Sequence, residues 1–352
     1  ENAIEISFRT IEENPGRRIF LLSEMIHNPQ VNEDLQLRGL RFLQDTSGKQ
    51  LIPFDELTPG DIVITPAFGT TLEIEQRLQQ AGIPTAQYDT TCPFVEKVWN
   101  RSGQIATKGY TVVIHGKPGH EETRATFSHA AAATAAVVIR DMQEAGELAG
   151  YITGQKPAQE FYDRFKGQYS QGFDVARDLQ RIGVVNQTTM LASETQAIAD
   201  FLKQVMIQRY ALTEENSAEH FADTRDTLCY ATNDNQAAVQ CMLDTAADLA
   251  MVVGGYKSSN TSHLVELCEQ RLPTYFIHNE EKILSAEQVL HYDIHNKQEL
   301  LTTGYLPSKN PVRVLITSGA SCPDALVEGV IRRLARYFGS DGIMEEMISR
   351  FA

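Results

Sequence analysis

Two of the five cysteines in this chain share a local context: Cys92 closes Asp89-Thr90-Thr91-Cys92 and Cys229 closes Asp226-Thr227-Leu228-Cys229. Thiolates are soft ligands, and a converging set of them suits an iron–sulfur cluster or zinc. Cys241 and Cys268 fall on helical faces among Val239, Leu243, Leu264 and Leu267, so they read as packing residues. Cys322 follows Ser321 in a turn that faces the ligand and is not assigned as a ligand.

A second group of residues could bind a small anion. His27 and Asn28, His115 and His120, Ser258-Ser259-Asn260, and Ser318 with Ser321 fall in polar turns. Hydroxyls, amides, imidazoles and the N–H groups of helix N-termini are what a diphosphate needs. Each turn has a plainer reading, since Ser258 to Ser262 could be a helix N-cap run and His27 before Asn28-Pro29 a local terminator. Near His120, Glu121 and Glu122 add carboxylates. A carboxyl group in a desolvated cavity keeps its proton near neutral pH, which makes Glu122 a candidate proton donor. Glu121 better fits a solvated acid that complements the helix dipole.

The elements that must position these groups recur along the chain. After Cys92 come a helical stretch to about Lys108, the apolar run Thr111-Val112-Val113-Ile114 and a polar turn from His115 to His120. After Cys229 come a helical stretch to about Leu249, the run Ala250-Met251-Val252-Val253 and a polar turn from Gly254 to Asn260. The chain start follows the same plan: a helix over 3–13, the run Arg18 to Leu22, and a turn from Ser23 to Asn28. Only a cysteine is missing there, and the spacing predicts one just upstream of Glu1, with any targeting segment equally out of view. A second apolar run closes each copy (Asp61 to Ile64, Ile182 to Val185, Val312 to Ile316), followed by the hydroxyl-rich turns Thr65 to Thr71, Gln187-Thr188-Thr189 and Thr317 to Ser321.

Helical periodicity alternating with short β-branched runs predicts an α/β fold of mostly parallel sheets. It divides into three pseudo-equivalent domains over 1–88, 89–212 and 213–335, with a tail over 336–352. Their strand ends are expected to face one central site, because open α/β sheets bind ligands at the carboxyl ends of their strands. The stretches 141–181 and 206–222 fit the plan poorly and read as insertions or long connections.

Composition narrows the classes. With 352 residues, 42% hydrophobic and 22% charged, the chain can bury two or three cores. The longest uncharged apolar stretch, near Ala130 to Val138, is far short of the ~20 residues that span a bilayer, so no membrane association is expected. A formal charge of −15 without a dense Lys/Arg cluster argues against nucleic acid as a partner. An odd number of widely spaced cysteines fits a reducing compartment better than a disulfide framework.

The motifs resemble the 4-hydroxy-3-methylbut-2-enyl diphosphate reductase (LytB/IspH) family, especially its plant and cyanobacterial branch. The matching segments run in order to about residue 335: Glu24 to Asn32, Asp89 to Asn100, Ile114 to Lys117 with His120 to Thr123, Asn186 to Met190, Val252 to Gly255 with Ser258 to Leu264, and Thr317 to Ser321 with Pro323-Asp324. The resemblance implies a [4Fe–4S] cluster held by three cysteines, one per domain, with one open iron. Cys92 and Cys229 would be two of the ligands, and the family's first cysteine falls in a segment that precedes the position of Glu1. It also implies that His27, His120, Ser258, Ser259, Asn260 and Ser321 hold the substrate diphosphate, that Thr188 lies near Glu122 and the substrate hydroxyl, and that Glu122 feeds protons. The implied reaction is the last step of the non-mevalonate (MEP) isoprenoid pathway, with electrons from ferredoxin or flavodoxin, in a bacterial cytoplasm or, in a plant-type host, the plastid stroma. Phe68 stands where many bacterial members carry a second diphosphate-binding histidine, as in the plant-like branch, and Cys322 stands where Thr or Ala is usual.

Two other readings compete. One is a non-catalytic relative that binds a diphosphate or senses redox state through an incomplete cluster. The other is a zinc-dependent phosphohydrolase, against which no Cys/His pair at the site shows short ligand spacing.

Overall fold

The computed structural model describes residues 2–222 and 229–339. Asp226, Thr227 and Leu228, and the tail beyond residue 339, lie outside the described residues.

Apolar runs too short for helices, each bounded by Gly or polar turns, become strands, and the amphipathic stretches between them become crossover helices. The first third forms α1 (Asn2–Glu13), β1 (Ile19–Leu21), α2 (Pro29–Leu37), β2 (Arg41–Phe42), β3 (Ile62–Ile64) and α3 (Leu72–Gln80). The second forms α4 (Pro93–Thr107), β4 (Thr111–His115), α5 (Glu121–Ala133), β5 (Ala136–Ile139), α6 (Met142–Ile152), α7 (Ala158–Arg164), α8 (Val175–Asp178), β6 (Ile182–Asn186), α9 (Ala192–Tyr210) and β7 (Phe221–Ala222). The third forms α10 (Tyr230–Leu243), β8 (Leu249–Val253), α11 (Ser259–Glu269), β9 (Thr274–Ile277), β10 (Gln288–Asp293), β11 (Gln298–Thr303), β12 (Val314–Ser318) and α12 (Asp324–Tyr337).

These strands make the sheets β2-β1-β3, β5-β4-β6-β7 and β12-β8-β9, all parallel, and the antiparallel hairpin β10-β11. The chain is therefore α/β with mostly parallel sheets, as its alternating pattern predicts. In each parallel sheet the strand that comes first in the chain is flanked by the next on one side and a later one on the other: β1 between β2 and β3, β4 between β5 and β6 with β7 beyond β6, and β8 between β9 and β12. The flanking strands β2, β5 and β9 were not expected. β2 is two residues long and β5 follows closely on the Ala-rich end of α5, so neither carries a period of its own. Every residue of β4, β6 and β8 is buried, as expected of parallel strands covered by helices on both faces.

The stretch 141–181 holds α6 to α8 around an aromatic core of Tyr151, Phe161, Phe165 and Phe173. Asp141 starts α6 by accepting the Glu144 N–H. Residues 206–222 contain the end of α9 and β7, which pairs with β6. By internal contacts, one compact unit comprises Glu1–Ile26 and Gln30–Cys229, and a second comprises His27–Pro29 and the chain from Tyr230 onward. Among the described residues no helix is long and apolar enough to cross a membrane.

Candidate active site

In the first unit the candidate residues lie in and beside the turns after β3, β4 and β6. Glu122, in the first turn of α5, is 1% exposed. Its Oε1 accepts the Thr188 N–H at 2.5 Å from the turn after β6. Burial pushes its carboxyl group up to about 7, against the pull of the hydrogen bonds from the Thr188 backbone and hydroxyl. Near neutral pH Glu122 is thus poised between acid and carboxylate, as a proton donor must be. His120 caps α5: its Nδ1 accepts the Glu122 N–H at 3.2 Å, so the neutral ring carries its proton on Nε2. The Phe68 ring lies edge-on to His120, centroids 5.5 Å apart, and so provides a wall where a histidine would provide a donor.

Cys92 precedes α4, whose first residue is Pro93, and its N–H bonds to the Ala67 carbonyl at 2.9 Å. Both Cys92 and Cys229 are free and half-buried. Burial is the main cause that raises the Cys92 thiol above its ordinary range, and Cys229 and Glu122 add to it. Free, half-buried thiols have the softness that an iron–sulfur cluster asks of its ligands. Among the described residues no group of three or more His, Cys, Asp or Glu is arranged to hold a metal ion.

The second unit holds the candidate anion donors. Ser258 caps α11 by accepting the Thr261 N–H at 3.3 Å, so the capping reading of this run holds for Ser258. It does not cover Asn260, which is 3% exposed and whose amide oxygen and nitrogen are both buried without a hydrogen bond. An unsatisfied buried amide costs ~1–3 kcal/mol, a cost that a bound anion at this N-terminus would remove. Ser259 and His27 are buried nearby in the same unit. The Ser321 carbonyl, in the turn before α12, accepts the Asn28 amide at 3.4 Å. Gly255 is required: a Cβ there would sit 1.8 Å from the His27 carbonyl oxygen.

Three expectations, those for Glu121, Cys241 and His115, need correction. Glu121 is not a solvated acid; it is 6% exposed, because the first turn of α5 is buried on the Glu121 side as well. Cys241 is exposed, since the buried face of α10 runs through Thr232, Gln236 and Val239, and Cys241 lies about 200° around the helix from Val239. Cys268 is buried, as expected. Cys322 packs against the apolar core under α12, and burial pushes its thiol up to about 11, leaving it protonated. His115 ends β4 with its ring wholly buried and its Nδ1 2.8 Å from the Thr195 hydroxyl, so it braces the sheet against α9.

Gln187 received no role from its sequence context. Its Oε1 accepts the Thr123 hydroxyl at 2.9 Å and the Lys117 N–H at 3.1 Å, while its Nε2 donates to the Thr189 hydroxyl at 2.7 Å. It ties the turn after β6 to α5 and so holds Thr188 on Glu122. The signal available was two successive amide residues, Asn186-Gln187, at a strand end.

The family described as LytB protein matches residues 1–335. The chain is 38% identical over 337 residues to the 4-hydroxy-3-methylbut-2-enyl diphosphate reductase of Gloeobacter violaceus, covering 95% of this chain and 79% of that one. It is 40% identical over 348 residues to the same-named protein of a Synechococcus, covering 99% and 83%. Among solved structures, that of the E-1-hydroxy-2-methyl-but-2-enyl-4-diphosphate reductase from Plasmodium falciparum superposes with a TM-score of 0.65 at 19% identity, over 95% of this chain and 83% of that one. A second, of (E)-4-hydroxy-3-methyl-but-2-enyl diphosphate reductase, superposes with a TM-score of 0.52 at 23% identity, over 95% of each chain. At these identities the two structures speak for the fold.

Proposed function

The chain belongs to the LytB protein family, and from that premise we propose that it is a 4-hydroxy-3-methylbut-2-enyl diphosphate reductase, removing the C4 hydroxyl of its substrate to give isopentenyl and dimethylallyl diphosphates. The reaction takes up two electrons and two protons and releases one water. The observation that carries this reading is the buried Glu122, held at about 7 by its surroundings and bonded to the Thr188 N–H.

The division of labour follows the chemistry of each residue. Cys92 and Cys229 are two ligands of a [4Fe–4S] cluster. When bound, such a cluster supplies electrons and, at an iron without a protein ligand, Lewis acidity. Glu122 is the proton source: protonated, it donates to the leaving hydroxyl, and Thr188 orients both the carboxyl group and that hydroxyl. His120 presents Nε2–H to the diphosphate, and its bond to the Glu122 N–H couples the anion site to the acid. In the second unit His27, Ser258, Ser259, Asn260 and Ser321 take the diphosphate, with Asn260 contributing an amide already stripped of water. Phe68 keeps water from one side of His120. The partition into repeats over 1–88, 89–212 and 213–335 belongs to the same proposal, with Cys92 in the second repeat and Cys229 in the third. A small redox protein, ferredoxin or flavodoxin, supplies the electrons.

The test is anaerobic iron and sulfide analysis with electron paramagnetic resonance on the full natural protein, with and without the hydroxylated allylic diphosphate. Four irons and a signal perturbed by substrate are expected. A protein that assembles no cluster under these conditions would sink the proposal.

A further inference from the structure

The turn that carries Ser258, Ser259 and Asn260 begins with Gly254-Gly255, the most permissive backbone available, so its shape must be imposed from outside. Gly254 is held by both of its polar groups: its N–H donates to the Ile277 carbonyl at 3.0 Å, and its carbonyl accepts from His278 Nδ1 at 3.0 Å. The next side chain, Tyr256, enters a column of rings. Its ring stacks on His278 at 3.5 Å and 21°, and on Tyr292 of β10 at 4.3 Å and 12°, with Phe276 of β9 edge-on at 5.1 Å. Its hydroxyl donates to Glu299 Oε1 of β11 at 3.0 Å, and Lys282 bonds the same oxygen at 2.6 Å. One side chain, two residues ahead of the α11 N-cap, therefore fastens the donor turn to the end of β9 and to both strands of the β10-β11 hairpin.

The geometry points to Tyr256 as a positioning residue for the diphosphate donors, with His278 and Tyr292 as the two faces of its clamp. The inference rests on the reading that Ser258, Ser259 and Asn260 take the diphosphate. Tyr256 touches no reacting atom in this scheme; it places the Ser258 and Ser259 groups and the first N–H groups of α11. Its loss should weaken anion binding and leave the chemical step alone, because a uniform loss of binding raises KM without lowering kcat.

The experiment compares the wild-type holoenzyme with Tyr256→Ala, Tyr256→Trp and Tyr256→Phe, by steady-state kinetics and by calorimetric titration with inorganic diphosphate. Tyr256→Ala should raise KM and the diphosphate Kd by roughly tenfold, the loss expected from two stacked faces and a hydrogen bond, with kcat within about twofold of wild type. Tyr256→Trp, which keeps the stack, should restore most of the binding, and Tyr256→Phe should lie close to wild type. If Tyr256→Ala does not fold, Tyr292→Leu removes one face of the column from the hairpin side and should give the same split. Unchanged KM and Kd in the stack-deleting variant, or a kcat that falls as far as KM rises, would overturn the inference while wild-type binding leaves the donor assignment standing. No saturable diphosphate binding by the wild type would overturn that assignment and this inference with it.

Discussion

Glu121 and Glu122 are neighbouring acids of identical intrinsic chemistry, and what separates them is the partner each meets. Glu122 receives the Thr188 N–H in a fully buried setting, which gives it a proton that can leave near pH 7. Glu122→Gln should lower kcat by at least ~100-fold, the usual contribution of a positioned acid. In the wild type, kcat should fall as the pH rises through about 7, where Glu122 ionises, and this limb should vanish in the variant. The same shift sets a stability slope. The folded value lies near 7 and the ordinary value is 4.5, so the folded chain binds the extra proton between them. That contribution is full below about 4.5 and is lost as the pH rises through about 7, a difference of roughly 3 kcal/mol. Urea titrations of both proteins across this window would reveal it, and a pH-independent difference between them would contradict the assignment. Nothing in the local pattern His120-Glu121-Glu122-Thr123 could tell the two acids apart, because desolvation comes from residues far away in the chain.

The elements position these residues through a few close approaches. Gly255 against His27 is one: both contacting groups are backbone, so an added methyl finds no flexible end to displace. Gly255→Ala should cost about 1–3 kcal/mol of stability, as overpacking does, and raise the KM for the diphosphate substrate. Thermal unfolding together with kinetics checks both effects. The insertion between β5 and β6 behaves differently. Phe161 is fully buried and stacks on Phe173 at 5.1 Å, in a core that holds no proposed site residue. Phe161→Ala should cost about 3–5 kcal/mol yet leave kcat/KM unchanged for the molecules that remain folded, as a denaturant curve and an assay at low temperature would show. Strands β1, β3, β4, β6, β8 and β12 were legible because β-branched runs bounded by polar turns have few alternatives. Strands β2 and β5 were not, because a pair of residues or the end of an alanine-rich helix has no period to read.

At the scale of the whole molecule the formal charge of −15 matters most. The proposed diphosphate donors are hydroxyls, an amide and imidazoles, so among them no fixed cation offsets the average repulsion felt by an anionic substrate. Raising the ionic strength from ~0.01 to ~0.15 M shortens the screening length from about 30 to about 8 Å, and kcat/KM for the diphosphate should therefore rise. A fall over that range would show that local positive potential governs capture. The sequence by itself determined the α/β class, the repeated strand–turn–helix plan and the residue types at each strand end, since periodicity and turn chemistry are local properties of the chain. Tertiary structure alone decided that the Glu122 carboxyl is held at about 7, that Glu121 is buried beside it, that His115 turns inward, that Cys241 faces solvent, and that Tyr256 is held by a hairpin far along the chain. Burial, desolvation and stacking depend on which distant segments arrive at the same place, and only the folded chain brings them there.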